Sequence, residues 1–205
     1  MAATEESIHN AWTAEEEMRE IPITPLAWAA LGGHEEVVKI LLGRDDIDPN
    51  KPNMLGQTPL HFAAGDGHEG VVKILLERED IDPDKPDHSR ETPLFWATMC
   101  GQESVVKLLL GRDEVDPHKS SLLGETPLTM ARDCYEGVVK LLLGRDDIDP
   151  DKPNELDQTP LHCAAGEGHE GVVKMLLGQD DADPDRPDED GQSSPSVLLE
   201  IATQE

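Results

Sequence analysis

Three residue classes are scarce in this 205-residue chain: aromatics, cysteines and cations. Aromatic residues make up 3% and hydrophobic residues 37%, thin for one thick globular core. The apolar residues are nevertheless clustered and periodic, which is not a disordered composition. Cysteine occurs only at Cys100, Cys134 and Cys163, with no CxxC pair. That pattern fits a reducing, intracellular compartment, cytoplasmic or nuclear. There is no run of about 18 apolar residues, so no transmembrane helix is expected. The first residues, "MAATEESIHNAWTAEEEMRE", are acidic and lack the apolar centre of a secretory signal. Lysine and arginine total 17 against 44 aspartates and glutamates, a net charge of −27. Such a surface repels phosphate backbones and anionic lipids. It disfavours nucleic acid and membrane as partners and favours a basic or neutral protein surface.

What the chain does have is a repeat. "TPL" begins at Thr24, Thr58, Thr92, Thr126 and Thr159, in steps of 34, 34, 34 and 33. "VVK" keeps the same steps from Val37 through Val71, Val105, Val138 and Val172. A third marker, "GRDDIDPNKP" at 43–52, recurs in phase through Ile81, Val115, Ile148 and Ala182. Three markers in register over five copies define a repeat architecture.

Each unit reads as two helices and a turn. In "TPLHFAAGDG", Thr58 is a good N-cap and Pro59 fits the first helical position. Leu60, Ala63 and Ala64 share one face, and Gly67 can adopt the left-handed conformation that ends the helix. In "HEGVVKILL", Val71, Val72, Leu75 and Leu76 form one apolar stripe. Helix pairs this short bury such a stripe only by stacking on neighbours, which gives a solenoid. In the acidic element, Gly43 is placed to cap the second helix and Ile47 to turn back onto the stack. Asp48-Pro49 then leaves the helix, and Pro52 stiffens the chain beyond.

"TPLHFAAGDGHEGVVKILL" and "TPLHCAAGEGHEGVVKMLL" closely resemble the ankyrin repeat family. The acidic "RDDIDP" style resembles arrays found in fungal multi-ankyrin proteins. The units run 24–57, 58–91, 92–125, 126–158 and 159–192. They are flanked by an N-terminal capping segment, 1–23, with Ile8 and Trp12 spaced i, i+4, and by a C-terminal half-unit or cap, 193–205. The resemblance implies an all-α repeat solenoid of helix-turn-helix units with projecting β-hairpin or loop fingers. It implies a non-catalytic protein-binding module without a cofactor, monomeric or part of a larger multidomain chain. The family's contact surface maps onto finger residues Met54, Leu55 and Gln57, His88, Ser89 and Glu91, Leu122, Leu123 and Glu125, and Glu155, Leu156 and Gln158. Leu31, Asp66, Met99 and Glu167, at the ends of first helices, complete it. These positions vary between units while the framework does not, and Met54–Leu55 and Leu122–Leu123 are apolar on expected tips. Unit 159–192 carries 9 acidic and 2 basic residues against 5 and 3 in 24–57, so the acidity grows toward the C-terminus.

The sequence departs from the family pattern in places. Unit 126–158 lacks one residue between Thr126 and Val138, with Cys134 and Tyr135 where glycine and histidine stand elsewhere. An altered turn is expected there. The TPLH histidine, which in the family bonds near the threonine hydroxyl, survives as His61 and His162. Ala27, Phe95 and Thr129 replace it, so three units are expected to do without it.

Other chemistries fit poorly. His34, His68 and His169 share one position, but stacked helices lie roughly 8–10 Å apart, which makes a ladder and not a metal cage. "DPDRPDEDG" lacks the alternation and the distal glutamate of a calcium loop, since Arg186 and Val197 stand at those positions. There is no GxSxG, phosphate loop or GxGxxG. Cys163, inside "LHCAA", is expected to be small and buried. Trp28, Phe62, Trp96, Met130 and Cys163 form one column with two readings: core packing, or an aromatic cage for a methylated lysine.

Overall fold

The computed structural model describes residues 22–130, 135–179, 182–189 and 191. The expected end caps, 1–21 and 193–205, and the shortened turn at 131–134 lie outside the described residues. Five helix pairs follow in chain order: α1 (Pro25–Leu31) with α2 (Glu35–Leu42), α3 (Pro59–Gly65) with α4 (Glu69–Leu76), α5 (Pro93–Met99) with α6 (Glu103–Leu110), α7 (Pro127–Met130) with α8 (Glu136–Leu143), and α9 (Pro160–Gly166) with α10 (Glu170–Leu177). First helices pack on first helices and second helices on second, so the chain is an all-helical solenoid.

Each first helix opens on a threonine whose φ and ψ are extended, followed by proline in the first turn. The hydroxyls of Thr24, Thr92 and Thr126 accept the backbone N–H three residues on, at 3.1–3.2 Å. Alanines then let neighbouring first helices approach closely, with Ala63, Ala64 and Ala97 fully buried. Gly67, at φ +73°, turns the chain into α4. The second helices bury their stripe: Val71, Val72, Val105, Val106, Val138, Val139, Leu75, Leu109 and Leu142 are all at 0% exposure. Each buried leucine or valine contributes about 1.5–3 kcal/mol, and one continuous core runs through all five pairs.

His61 and His162 act as the pattern implies. Nδ1 of His61 accepts the Thr58 N–H at 3.0 Å and lies 2.9 Å from the Thr58 hydroxyl. Its Nε2, which therefore carries the proton, donates to the Glu91 carbonyl of the next finger at 3.1 Å. Burial pushes the His61 pKa down to about 4, so the ring is neutral. Thr129, one of the three replacements, reproduces only the local half of this device. Its hydroxyl accepts the Thr126 N–H at 2.7 Å and donates to the Thr126 carbonyl at 2.8 Å. A shorter side chain with one donor and two acceptor sites thus stands in for the imidazole.

The acidic element is a cross-unit latch. The aspartates at 48, 82, 116, 149 and 183 each accept the backbone N–H two residues on, at 2.8–3.2 Å, which closes the turn. Two residues later, the side chains of Asn50, Asp84 and Asp151 accept the N–H of the next unit's turn aspartate, at 2.6–3.2 Å. Lys85, Lys119, Lys152 and Arg186 each donate to a carbonyl of the preceding unit, at 2.7–3.2 Å. Arg78 forks onto Asp80 at 2.8 and 2.7 Å while donating to the Leu42 carbonyl at 3.1 Å, and Arg145 does the same with Asp147 and Leu110.

Gly43 caps α2 as expected. It occupies the C-cap, but at φ −72° it is right-handed. The chain leaves α2 through a bond from the Arg44 N–H to the Leu41 carbonyl, so no glycine is required there, and Glu77 fills the equivalent place after α4. Cys163 is half-buried rather than buried, at the last described position of its column.

The latch predicts a specific stability effect. Asp116→Ala removes the acceptor of the His118 N–H and lowers unfolding free energy by about 1 kcal/mol. Asp116→Asn retains the acceptor and most of that stability. Urea unfolding of the two variants separates these outcomes.

Candidate functional site

The fingers are tight turns without an extended β-strand among the described residues, the loop form of the two expected. One column organises them, and the sequence reading overlooked it. Asn53 Oδ1 accepts the N–H groups of Leu55 and Gln57 at 2.9 and 3.0 Å. Asp87 Oδ1 accepts those of Ser89 and Glu91 at 2.8 and 3.0 Å, and Asn154 Oδ1 those of Leu156 and Gln158 at 2.9 and 3.0 Å. Ser121 Oγ accepts from Leu123 at 3.2 Å. The signal was present as Asn, Asp, Ser, Asn and Asp at 53, 87, 121, 154 and 188, all residues that close local turns.

Neighbouring fingers are tied by their backbones. The N–H groups of His88, Leu122, Glu155 and Glu189 donate to the carbonyls of Leu55, Ser89, Leu123 and Leu156, at 2.9–3.2 Å. Gly56 and Gly124, at φ +84° and +74°, sit where a Cβ would stand 2.7 Å from the next finger's backbone nitrogen. Arg90 and Asp157 take the same left-handed conformation at φ 64° and 55°, a strain of about 1 kcal/mol each.

This scaffold sorts the expected contact residues into two groups. Met54, Leu55, His88, Ser89, Leu122, Leu123, Glu155 and Leu156 present exposed side chains at the tips, with Leu123 at 66% and Met54 at 62%. Gln57, Glu91, Glu125 and Gln158 are half-buried at the finger bases. Gln57 Oε1 accepts from Asn53 Nδ2 at 2.8 Å, and Glu91 Oε2 accepts from the Trp96 indole N–H at 3.0 Å. At the helix ends, Leu31, Asp66 and Met99 are half-buried and Glu167 is exposed.

The aromatic column is packed, not open. Ala27, Phe62, Phe95, Trp96 and Met130 form a second apolar cluster, joined by Ile23, Leu31 and Met99. Phe62 meets Trp96 edge to face at 6.1 Å, with 1% and 7% of their surfaces exposed. A methyl-lysine cage needs several ring faces open to the ligand. Only Trp28 of this column shows a large exposed face, so the cage reading has no geometric support.

The cleft between the second and third fingers is an unusual electrostatic setting. Burial raises the Glu91 carboxyl to about 7, reinforced by Asp87 and Glu125 and opposed by the Trp96 N–H. Burial also raises Asp87, which its bonds from Glu91, Ser89 and Trp96 oppose, and, at the end of α3, Asp66. Desolvation, with Asp66 adding to it, pushes the Cys100 thiol up to about 11, so it is not a ready nucleophile. No group of three or more His, Cys, Asp or Glu among the described residues is arranged to hold a metal ion. Nor is any described helix long and apolar enough to cross a membrane.

A family model described as ankyrin repeats in three copies matches residues 26–120 and 113–188. No curated protein matches the chain.

Glu91 supplies a pH-dependent prediction. Its folded pKa of about 7 exceeds the 4.5 of the free carboxyl. The folded state therefore holds a proton that the unfolded state has lost. Stability from this group is complete at acid pH, declines as pH rises, and is gone above about 7. Glu91→Gln keeps an acceptor for Trp96 and abolishes the penalty. It raises the melting temperature at pH 8 by on the order of 3 °C and leaves it unchanged near pH 4.5. Paired melting curves across that range test the difference, which cancels the opposite titration of His61.

Proposed function

The chain belongs to the ankyrin repeat family, and we propose that its fingers and inner-helix ends bind a protein partner of basic or neutral surface. Domains of this family are generally non-catalytic protein–protein interaction modules. The observation that carries the reading here is the row of exposed apolar tips, Met54, Leu55, Leu122, Leu123 and Leu156, on fingers whose backbones are already bonded to one another. Ordering costs little on such a scaffold, so contact made by the tips is not spent on fixing loops. Apolar tips beside half-buried carboxylates suit a partner with apolar anchors and basic neighbours. Unit 159–192 is more acidic than unit 24–57, which favours placing the partner's more basic end there. Cys100 and Cys163 are not in disulfides, which fits an intracellular, reducing setting.

Capture on the immobilised chain with mass spectrometry identifies the partner, and titration then gives its affinity. Replacing Met54, Leu55, Leu122 and Leu123 together by serine weakens binding at least about tenfold, or 1.4 kcal/mol, with unchanged helicity and melting temperature. Added salt weakens binding to the unmodified chain. Unchanged affinity in the fourfold variant removes this surface from consideration.

A further inference from the structure

The five units share one sequence register, so equivalent residues report what each neighbour contributes. Val37 is 46% exposed, whereas Val71, Val105, Val138 and Val172 are at 0–3%. Trp28 is 46% exposed, whereas Phe62, Trp96 and Met130 are at 1–8%. Ile40 is 71% exposed, whereas Ile74, Leu108, Leu141 and Met175 are partly buried against the core. Side-chain type and local helix are nearly constant within each set. The difference lies in the neighbour: every later unit has a unit before it, and the first described unit has none. Trp28 from α1 and Val37 and Ile40 from α2 therefore make an apolar end face on the stack.

We propose that this face is the docking site of the chain's own residues 1–21, with Ile8 and Trp12 seated against Trp28, Val37 and Ile40. The segment adjoins the face directly, since residue 22 stands three places before Pro25. Its tether gives it a high effective concentration there, and closing so short a connection costs little. Ile8 and Trp12, at i, i+4 spacing, are two large apolar side chains in a stretch that carries six glutamates and one arginine. A second copy of the chain is a weaker occupant. A stable dimer needs roughly 800 Å² from each partner, more than three partly exposed side chains offer. Dimerisation would also bring two chains of net charge −27 together, with Glu35 and Glu36 beside each face. This inference is independent of the partner-binding reading, because the face is an end of the stack and not part of the finger row.

Amide hydrogen exchange on the full chain tests it. In Trp12→Ser, exchange on α2 accelerates about tenfold while α6 is unchanged, and the melting temperature falls. Ile40→Ser gives a similar fall, and the double variant falls by less than the sum, because both remove the same contact. Unaltered α2 exchange in Trp12→Ser, or strictly additive losses, overturns the proposal. A dimer seen by light scattering that dissociates in Ile40→Ser also overturns it, in favour of a second copy.

Discussion

Everything in this molecule depends on one constraint: no helix pair can bury its own apolar stripe. Val71, Val72 and Leu75 are fully buried because other pairs lie on both sides. Apolar contact fixes that pairs stack, but it is non-directional and sets no register. The register comes from polar groups of the acidic element. Four basic side chains, three latch side chains and two arginine forks all bond backbone of an adjacent unit. The shortened fourth unit shows how closely this is kept. Lys85, Lys119 and Arg186 reach back 35 residues, and Lys152 reaches 34. Arg78 reaches back 36 residues and Arg145 reaches 35. Both latches span the deletion unbroken, so the missing residue is absorbed upstream of α8 and the stack keeps its pitch.

The same economy leaves the finger tips exposed. Each tip has its backbone N–H or C=O committed to a neighbour, and its turn is closed from below by Asn53, Asp87, Ser121 or Asn154. Geometry is therefore decided by the backbone and one buried side chain. The tip side chains carry no structural duty, which is why methionine, leucine, histidine, serine and glutamate alternate there without altering the fold. The base residues differ. Gln57 and Glu91 hold Asn53 and Trp96, so they link the contact face to the packed interior and are less free to vary.

Helix positions, the capping threonines and the burial of the valine–leucine stripe were legible because each rests on a local rule repeated five times. What escaped the sequence involved contacts between units, or conformations that several residue types can adopt. Gly43 caps α2 in a right-handed conformation, so the position needs no glycine and accepts Glu77 in the next unit. Thr129 differs from histidine in type, yet its hydroxyl accepts the Thr126 N–H as His61 Nδ1 accepts that of Thr58. The finger-closing column was visible as a run of turn formers, but nothing in one unit alone distinguishes Asn53 from an ordinary polar loop residue. The tryptophan column kept two readings until the ring faces of Phe62 and Trp96 were seen to be covered.

Formal charge is a poor guide to the field a partner meets. The count of −27 treats every carboxyl alike, but burial favours the protonated forms of Asp87 and Glu91 at the base of the second finger, and separately of Asp66 at the end of α3. Glu91, near 7, is about half charged at neutral pH, so the cleft between the second and third fingers is less negative than its composition implies. Glu155 and Glu167 are exposed by contrast. Along the fingers the contrast runs from apolar Met54 and Leu55 at one end to exposed Glu155 beside Leu156 at the other. A partner that follows the row would thus meet mainly apolar contact at one end and mainly electrostatic contact at the other. Salt would loosen the second contact and leave the first largely intact.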